Sequence, residues 1–315
     1  MEASLPKIIV LLGPTACGKT ALSLELAEKL GCEIISADSM QVYRRMDIGS
    51  AKLPFASRRG IIHHMLDVVE PDADFSVADF HALADDIIAD IFSRDKLPLI
   101  CGGTGLYINS LVYPYNFSDA ADSDPDIRQR LQTEFAENGG VYLHDRLAEC
   151  DPVAAAKIHP NDSRRLVRAL EVFEVTGSPI SDMQQHNEPV KYDPVMIGLT
   201  APRELLYRRI EQRVDEMMDE GLLCEVENLL AEGLDRNAVS MQGLGYKQLA
   251  AYFAGEVKLD EAVDLIKRDT RRFAKRQFTW FKRDERIKWF SIDQYPTEGE
   301  LINAVLPWVS QRLEV

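Results

Sequence analysis

The sequence predicts an α/β fold, a parallel β-sheet core flanked by helices and interrupted by an all-α insertion. Three observations predict it. Apolar, strand-like runs alternate with helical patterns through the N-terminal third. The first of those runs enters a glycine-rich turn and then a helix. From about residue 118 to residue 192 helical patterns stand alone, before one more strand pattern returns the chain to the sheet.

The first strand is expected over residues 8–12. It leads into Gly13, Pro14, Thr15, Ala16, Cys17, Gly18, Lys19 and Thr20, a G-x-x-x-x-G-K-T phosphate-binding loop, and then a helix over 19–30. In such a loop the glycines let backbone N–H groups close around phosphate oxygens. The lysine supplies a mobile cation, the threonine offers a hydroxyl to Mg²⁺, and the helix N-terminus adds partial positive charge. The expected ligand carries a phosphate or diphosphate; the motif alone does not specify ATP.

A second strand, 33–36, ends near Asp38, a carboxylate at the sheet edge where ligands of open α/β folds bind. It can accept a proton or simply cap a turn. After a helix over 75–94, the third strand, 97–101, runs into Gly102-Gly103-Thr104-Gly105 and a further helix. No acidic residue ends that strand, which weakens an ATPase reading, since Mg²⁺ in those enzymes is held by such an aspartate as well as by the loop hydroxyl. The insertion is entered through the acidic stretch 119–126. Its helix 163–176 carries Arg164, Arg165 and Arg168 near the start, a charge run that is as easily a solvated face.

A fourth strand is expected over 195–199. The helix after Pro202 places Arg209 and Arg213 one turn apart, a pair that can clamp a leaving diphosphate or pair with Glu211, Asp215 or Glu216. Gly221, Gly233 and Gly255 are expected to end helices. Residues 1–117 with 193–315 are expected to form the catalytic core, and 118–192 the insertion.

At 315 residues, with 46% hydrophobic and 28% charged residues, the chain reads as an ordinary globular protein. No signal sequence is read before the first strand and no apolar run is long enough to span a bilayer, so a cytoplasmic location without membrane association is expected. Five scattered cysteines suggest neither disulfides nor a zinc site. The formal net charge of −15 argues against nucleic acid, yet basic residues gather locally. Besides the arginines of the insertion, an expected helix over 267–282 sets Arg268, Arg272, Lys275 and Arg276 beside Phe273, Phe278 and Phe281.

Taken with Asp38-Ser39-Met40-Gln41-Val42-Tyr43, Gly102-Gly103-Thr104-Gly105-Leu106-Tyr107, His159-Pro160-Asn161-Asp162, Arg165-Leu166-Val167-Arg168-Ala169-Leu170-Glu171, Gly245-Tyr246-Lys247 and residues 270–281, the phosphate loop makes the chain resemble the tRNA dimethylallyltransferase family along nearly its whole length, with the motifs in the family's order.

The resemblance implies a P-loop NTPase-like core with an α-helical insertion that grips the tRNA anticodon stem-loop. It implies transfer of a dimethylallyl group from dimethylallyl diphosphate to N6 of adenosine 37 in tRNAs reading codons that begin with U. The phosphate loop, residues Gly13 to Thr20, then holds the donor's diphosphate, with Mg²⁺ as cofactor. Asp38 matches the general base, Thr20 the Mg²⁺ and diphosphate contact, and Arg213 the leaving-group arginine. Contacts to tRNA are implied for Asp38, Ser39, Met40, Gln41, Thr104, Arg128, Arg164, Arg165, Leu166, Val167, Arg168, Gln242, Gly243, Leu244, Gly245, Tyr246 and Lys247. A monomer is expected.

Cys17 stands where the family often has Ser, and Arg164 where Gln commonly opens its Q-R-x-x-R motif. No C-terminal zinc finger pattern is read, which fits a bacterial-type member. Three rivals stand beside this reading. An adenylate isopentenyltransferase shares the loop and the aspartate but needs neither insertion nor basic helix. A P-loop small-molecule kinase would bind ATP. An RNA-binding GTPase-like switch should show N-K-x-D, and the sequence has none.

Overall fold

Strand β1, Lys7–Leu12, is buried on both faces, as its unbroken apolar run requires of a central parallel strand. The structure is a computed structural model and describes residues 5–114, 124–183 and 190–314. After β1 the elements are α1 (Lys19–Leu30), β2 (Cys32–Ala37), β3 (His63–His64), α2 (Val77–Ser93), β4 (Leu97–Gly102), α3 (Gly105–Val112), α4 (Pro125–Cys150), α5 (Pro152–Ala155), α6 (Ser163–Thr176) and α7 (Ile180–Met183). They continue with β5 (Asp193–Thr200), α8 (Arg203–Asp219), α9 (Leu222–Ala231), α10 (Tyr246–Phe253), α11 (Leu259–Phe281), β6 (Lys288–Ser291) and α12 (Glu298–Leu313).

The six strands form one parallel sheet in the order β3-β2-β4-β1-β5-β6. The four expected strands are present, each extended by one to three residues. Two edge strands lay outside the sequence expectation. One, β3, has two residues and the other, β6, has four. Neither is long enough to show a period.

Helix starts follow their caps. Ser76 and Asp79 form a reciprocal capping box that begins α2 at Val77, two residues after the expected start. Helix α11 begins at Leu259, well before the expected 267, with Asp260 and Glu261 in its first turn against the helix dipole. Gly221, Gly233 and Gly255 fall one residue beyond the caps of α8, α9 and α10.

The chain separates into two compact units, residues 1–112 with 191–315, and residues 113–190. The larger unit holds the sheet, and its described residues include two apolar clusters. One gathers Leu11, Leu26, Ile197, Val305 and Val309; the other packs Tyr43, Met46, Val226, Tyr246 and Leu249. The described residues of the smaller unit form helices and their connecting turns, without a strand, around Leu131, Leu143, Leu147, Leu166 and Leu170. The chain of α4 is interrupted at Gly139. No described helix is long and apolar enough to cross a membrane.

Strand register positions the site. Ala37 pairs with Gly102, Gly102 with Leu12, and Leu12 with Gly198, so four strands finish in one row at the carboxyl edge. The row closes tightly at Gly102, where a Cβ would lie 2.1 Å from Ala37 O. Gly102→Ala is therefore expected to push β2 from β4 and destabilise the fold by about 1–3 kcal/mol. Urea denaturation should show a lower midpoint with the slope unchanged, and an unshifted midpoint would contradict the close approach.

Candidate active site

Every group at the carboxyl edge of the sheet follows directly from that register. Gly13 leaves β1 with φ 147°, and a Cβ there would sit 2.4 Å from Leu199 O, so only glycine lets the loop start so close to β5. Ala16 adopts φ 63° and Gly18, with φ 88°, heads α1 without a side-chain cap. The first amides of α1 are thus left to an anionic ligand. Lys19 is folded back over the loop, its Nζ donating to Gly13 O at 2.9 Å and Pro14 O at 2.8 Å. Thr20 stands exposed in the first turn of α1.

Cys17 is fully buried in the core beneath the loop, with Sγ 3.9 Å from Lys19 Nζ, and burial raises its thiol pKa. A cysteine in place of serine is therefore a packing choice here. The loop keeps its shape through a residue that sequence reasoning left without a role. Buried Gln277 on α11 accepts from Thr15 N at 2.9 Å and donates from Nε2 to Gly103 O at 2.9 Å.

Asp38 follows β2 and is half-buried. Burial raises its carboxyl pKa, opposed by the Met40 amide, which donates to Oδ1 at 2.9 Å, and by the charges of Lys19 and Arg213. Arg213 on α8 is pulled below its ordinary value by burial, with Asp38 the chief opposing charge, and its Nη1 reaches Thr15 Oγ1 at 3.4 Å. Of the two arginines one turn apart on α8, Arg209 is solvent-exposed and Arg213 is half-buried and turned toward the loop, while Ile210 and Val214 fill the buried stripe of the helix.

Around Asp38, several groups with implied RNA contacts are also tied within the fold. Thr104 Oγ1 accepts from Ser39 N at 3.0 Å, joining the ends of β2 and β4. Gln41 accepts from Ser36 Oγ at 2.8 Å and donates to Ser50 O at 3.1 Å. Met40 packs against Gly243, and Gln242 donates to Arg236 O. Gly243 and Gly245 are buried and Leu244 half-buried.

Tyr246 is fully buried, its hydroxyl donating to Glu225 at 2.6 Å, so Lys247 is the member of 242–247 whose side chain stands in solvent. Glu225 also accepts from the amides of Asp47, Ile48 and Gly49, and buried Lys52 bridges Asp47, Asp67 and Tyr43 O. Both escaped the sequence reading, since an isolated Glu or Lys gives no pattern.

The basic helix is partly neutralised. Lys267 pairs with Asp215, Arg271 with Glu211, and Arg268 and Arg272 share Asp269, while Lys275 and Arg276 are exposed.

The helical unit holds its own cavity of about 560 Å³, lined by Arg128, Gln132, Phe135, Ser163, Arg164 and Arg168, with Val167 on its wall. Arg128 and Arg168 both donate to Glu171 Oε2 at 3.1 Å, and Asp124 N donates to Oε1 at 3.0 Å. Glu171 has no exposed surface. Arg164 and Arg165 are exposed, Arg165 beside Asp162. Leu166 is completely buried and Val167 nearly so, so both pack in the core of the helical unit, Val167 at the wall of the cavity.

The IPP transferase family matches residues 41–284, and the isopentenyl transferase family matches residues 6–59. The chain belongs to the IPP transferase family. A tRNA dimethylallyltransferase of Caldanaerobacter subterraneus is 49% identical over 98% of this chain and 99% of its own length. One from Bacillus licheniformis is 46% identical over the full length of both. Among solved structures, the tRNA isopentenylpyrophosphate transferase of Bacillus halodurans superposes with a TM-score of 0.74 at 44% identity, covering 98% of this chain and 97% of that one. A eukaryotic dimethylallyltransferase acting on tRNA gives 0.80 at 28% identity, covering 97% and 80%.

In this IPP transferase the raised pKa of Asp38 has a consequence for stability. A carboxyl whose folded pKa lies above its ordinary value favours folding fully below that ordinary value, and the contribution is lost as pH rises through the folded pKa. Asp38→Asn is expected to raise the thermal midpoint at pH 7, with the gain vanishing toward the ordinary aspartate range. Melting curves between pH 4 and 8 check this; a lower midpoint at pH 7 would mean the carboxylate stabilises the fold.

Proposed function

We propose that the chain transfers the dimethylallyl group of dimethylallyl diphosphate to N6 of adenosine 37 in tRNAs that read codons beginning with U. The observation that carries this is the gathering of the phosphate loop, Arg213 and Asp38 at one sheet edge of an IPP transferase. The amides of α1 and Lys19 bind the donor's diphosphate, Lys19 exchanging its carbonyl partners for phosphate oxygens. Arg213 stabilises negative charge as the allylic C–O bond breaks.

Adenine N6 is a weak nucleophile, because its lone pair is delocalised into the ring. Asp38 accepts a hydrogen bond from it and removes its proton as the new C–N bond forms. A stacked base cannot enter such a pocket, so adenosine 37 is flipped out. The helical unit contributes Arg128, Arg164 and Arg168 around a cavity suited to an RNA backbone.

Mg²⁺ fits as a partner of the diphosphate. Thr20 presents an exposed hydroxyl at the loop, and a hard cation of this kind completes its shell with phosphate oxygens and water. When bound it would neutralise the departing diphosphate. A monomer acting in the cytoplasm, away from membranes, accords with this reading.

An adenylate isopentenyltransferase remains the second reading, and the arginine-lined cavity favours RNA over a free nucleotide. Incubation with dimethylallyl diphosphate, Mg²⁺ and unmodified tRNA should add one C₅H₈ unit to adenosine 37 by mass spectrometry, whereas AMP should remain unmodified. Comparable turnover of AMP would promote the rival.

Binding of tRNA is expected to weaken with salt despite the net charge. Arg165→Ala or Arg168→Ala should flatten the log–log slope by roughly one unit for each phosphate that the variant no longer neutralises. An unchanged slope would leave those arginines as surface or structural charges. In single-turnover assays with saturating substrates, Asp38→Asn should slow chemistry by about 10²- to 10⁴-fold while substrate binding survives. Lys19→Ala should weaken donor binding as well as turnover. Near-normal chemistry in Asp38→Asn would reassign proton removal to water or diphosphate.

A further inference from the structure

The carbonyls and amides of the phosphate loop are not all open to a ligand. The Thr15 N–H is engaged by the side chain of Gln277, which reaches from the buried face of α11 and anchors its other end on Gly103 O at the end of β4. The fit is tight, since a Cβ on Gly103 would lie 2.2 Å from Gln277 Nε2. A primary amide is the side-chain group that accepts at one end and donates at the other without carrying charge. Here both ends are matched, one to an amide and one to a carbonyl.

We propose that Gln277 is a positioning residue for the donor diphosphate. It holds the Thr15 peptide plane, so that Thr15 Oγ1 stays within reach of Arg213 and the amides from Ala16 onward face the anion, while Thr15 N–H takes no part in binding. This rests on the reading of the loop as the diphosphate site. Glutamate at 277 reproduces the pattern only when protonated. Ionised, it sets a negative charge against Gly103 O and beside the diphosphate. Lys19 and Cys17 of the loop, Asp38 after β2, Cys101 of β4, Arg213 of α8 and the exposed Arg276 of α11 are among the charged and titratable groups of this region.

The test measures binding of inorganic diphosphate and of dimethylallyl diphosphate by calorimetry from pH 5.5 to 8.5, for wild type, Gln277→Glu, Gln277→Met and Lys19→Ala. Gln277→Glu is expected to bind at least tenfold more weakly than wild type at pH 8.5, with that ratio shrinking as pH falls. Gln277→Met should be weaker at every pH without a trend in the ratio. In steady state the donor KM should rise more than kcat falls, and the tRNA KM should hold.

If Lys19→Ala weakens diphosphate binding and both Gln277 variants bind like wild type, the positioning role is overturned and the loop reading stands. If Lys19→Ala binds diphosphate normally, the loop reading itself fails. A wild-type measurement decides the matter should the variants not fold. The Thr15 amide should exchange hydrogen slowly with or without diphosphate, while those of residues 16–20 slow only in its presence. Rapid exchange at Thr15 in the free protein overturns the proposal.

Discussion

Burial of Asp38 and Arg213 at the carboxyl edge of the sheet, beside Lys19, is the constraint around which the candidate site is arranged. Desolvation disfavours the carboxylate and the guanidinium alone, and the opposite charges beside them limit that cost. Each has its own partner: the Gly13 and Pro14 carbonyls hold the lysine ammonium, the Thr15 hydroxyl meets the guanidinium, and the Met40 amide donates to the carboxylate. The loops that carry these partners start where four strands terminate in one row, which is why the close approach at Gly102 matters for residues it never touches.

The same arrangement, two cations about one carboxylate, recurs in the helical unit. There a single buried carboxylate, Glu171, gathers Arg128, Arg168 and the first amide ahead of α4. Held by Glu171, the guanidinium groups of Arg128 and Arg168 have their orientation already set, which lowers the ordering cost of meeting an anionic group. The exposed Arg164 and Arg165 lack that anchoring to Glu171 and retain more of their rotamer freedom.

Central strands, the phosphate loop and the all-helical character of the insertion were legible in the sequence because each leaves a local pattern. Residues 8–12 are continuously apolar, Gly13 to Thr20 match a spaced motif, and capped helices announce their ends. What stayed hidden was long-range. Gln277 sits 262 positions from Thr15 and Glu225 178 from Asp47, so nothing in their neighbourhoods signals the partner. Spacing also does not rank two residues of one face: Arg209 and Arg213 lie one turn apart, yet Arg209 is exposed and the half-buried Arg213 is the one that reaches the loop. Burial within a motif is equally silent in sequence, as Leu166, Val167 and Tyr246 show.

The strand order has a consequence for how the chain is made. β1 lies between β4 and β5, and β5 is synthesised about 180 residues after β1 and only once the insertion has left the ribosome. Until then β1 presents an apolar, unpaired edge of the sort that nascent chains bury in one another. The helical unit, whose buried residues all come from its own segment, can close during that interval. Synthesis thus leaves a central apolar strand waiting longer for its second neighbour than any other pair of adjacent strands in the sheet.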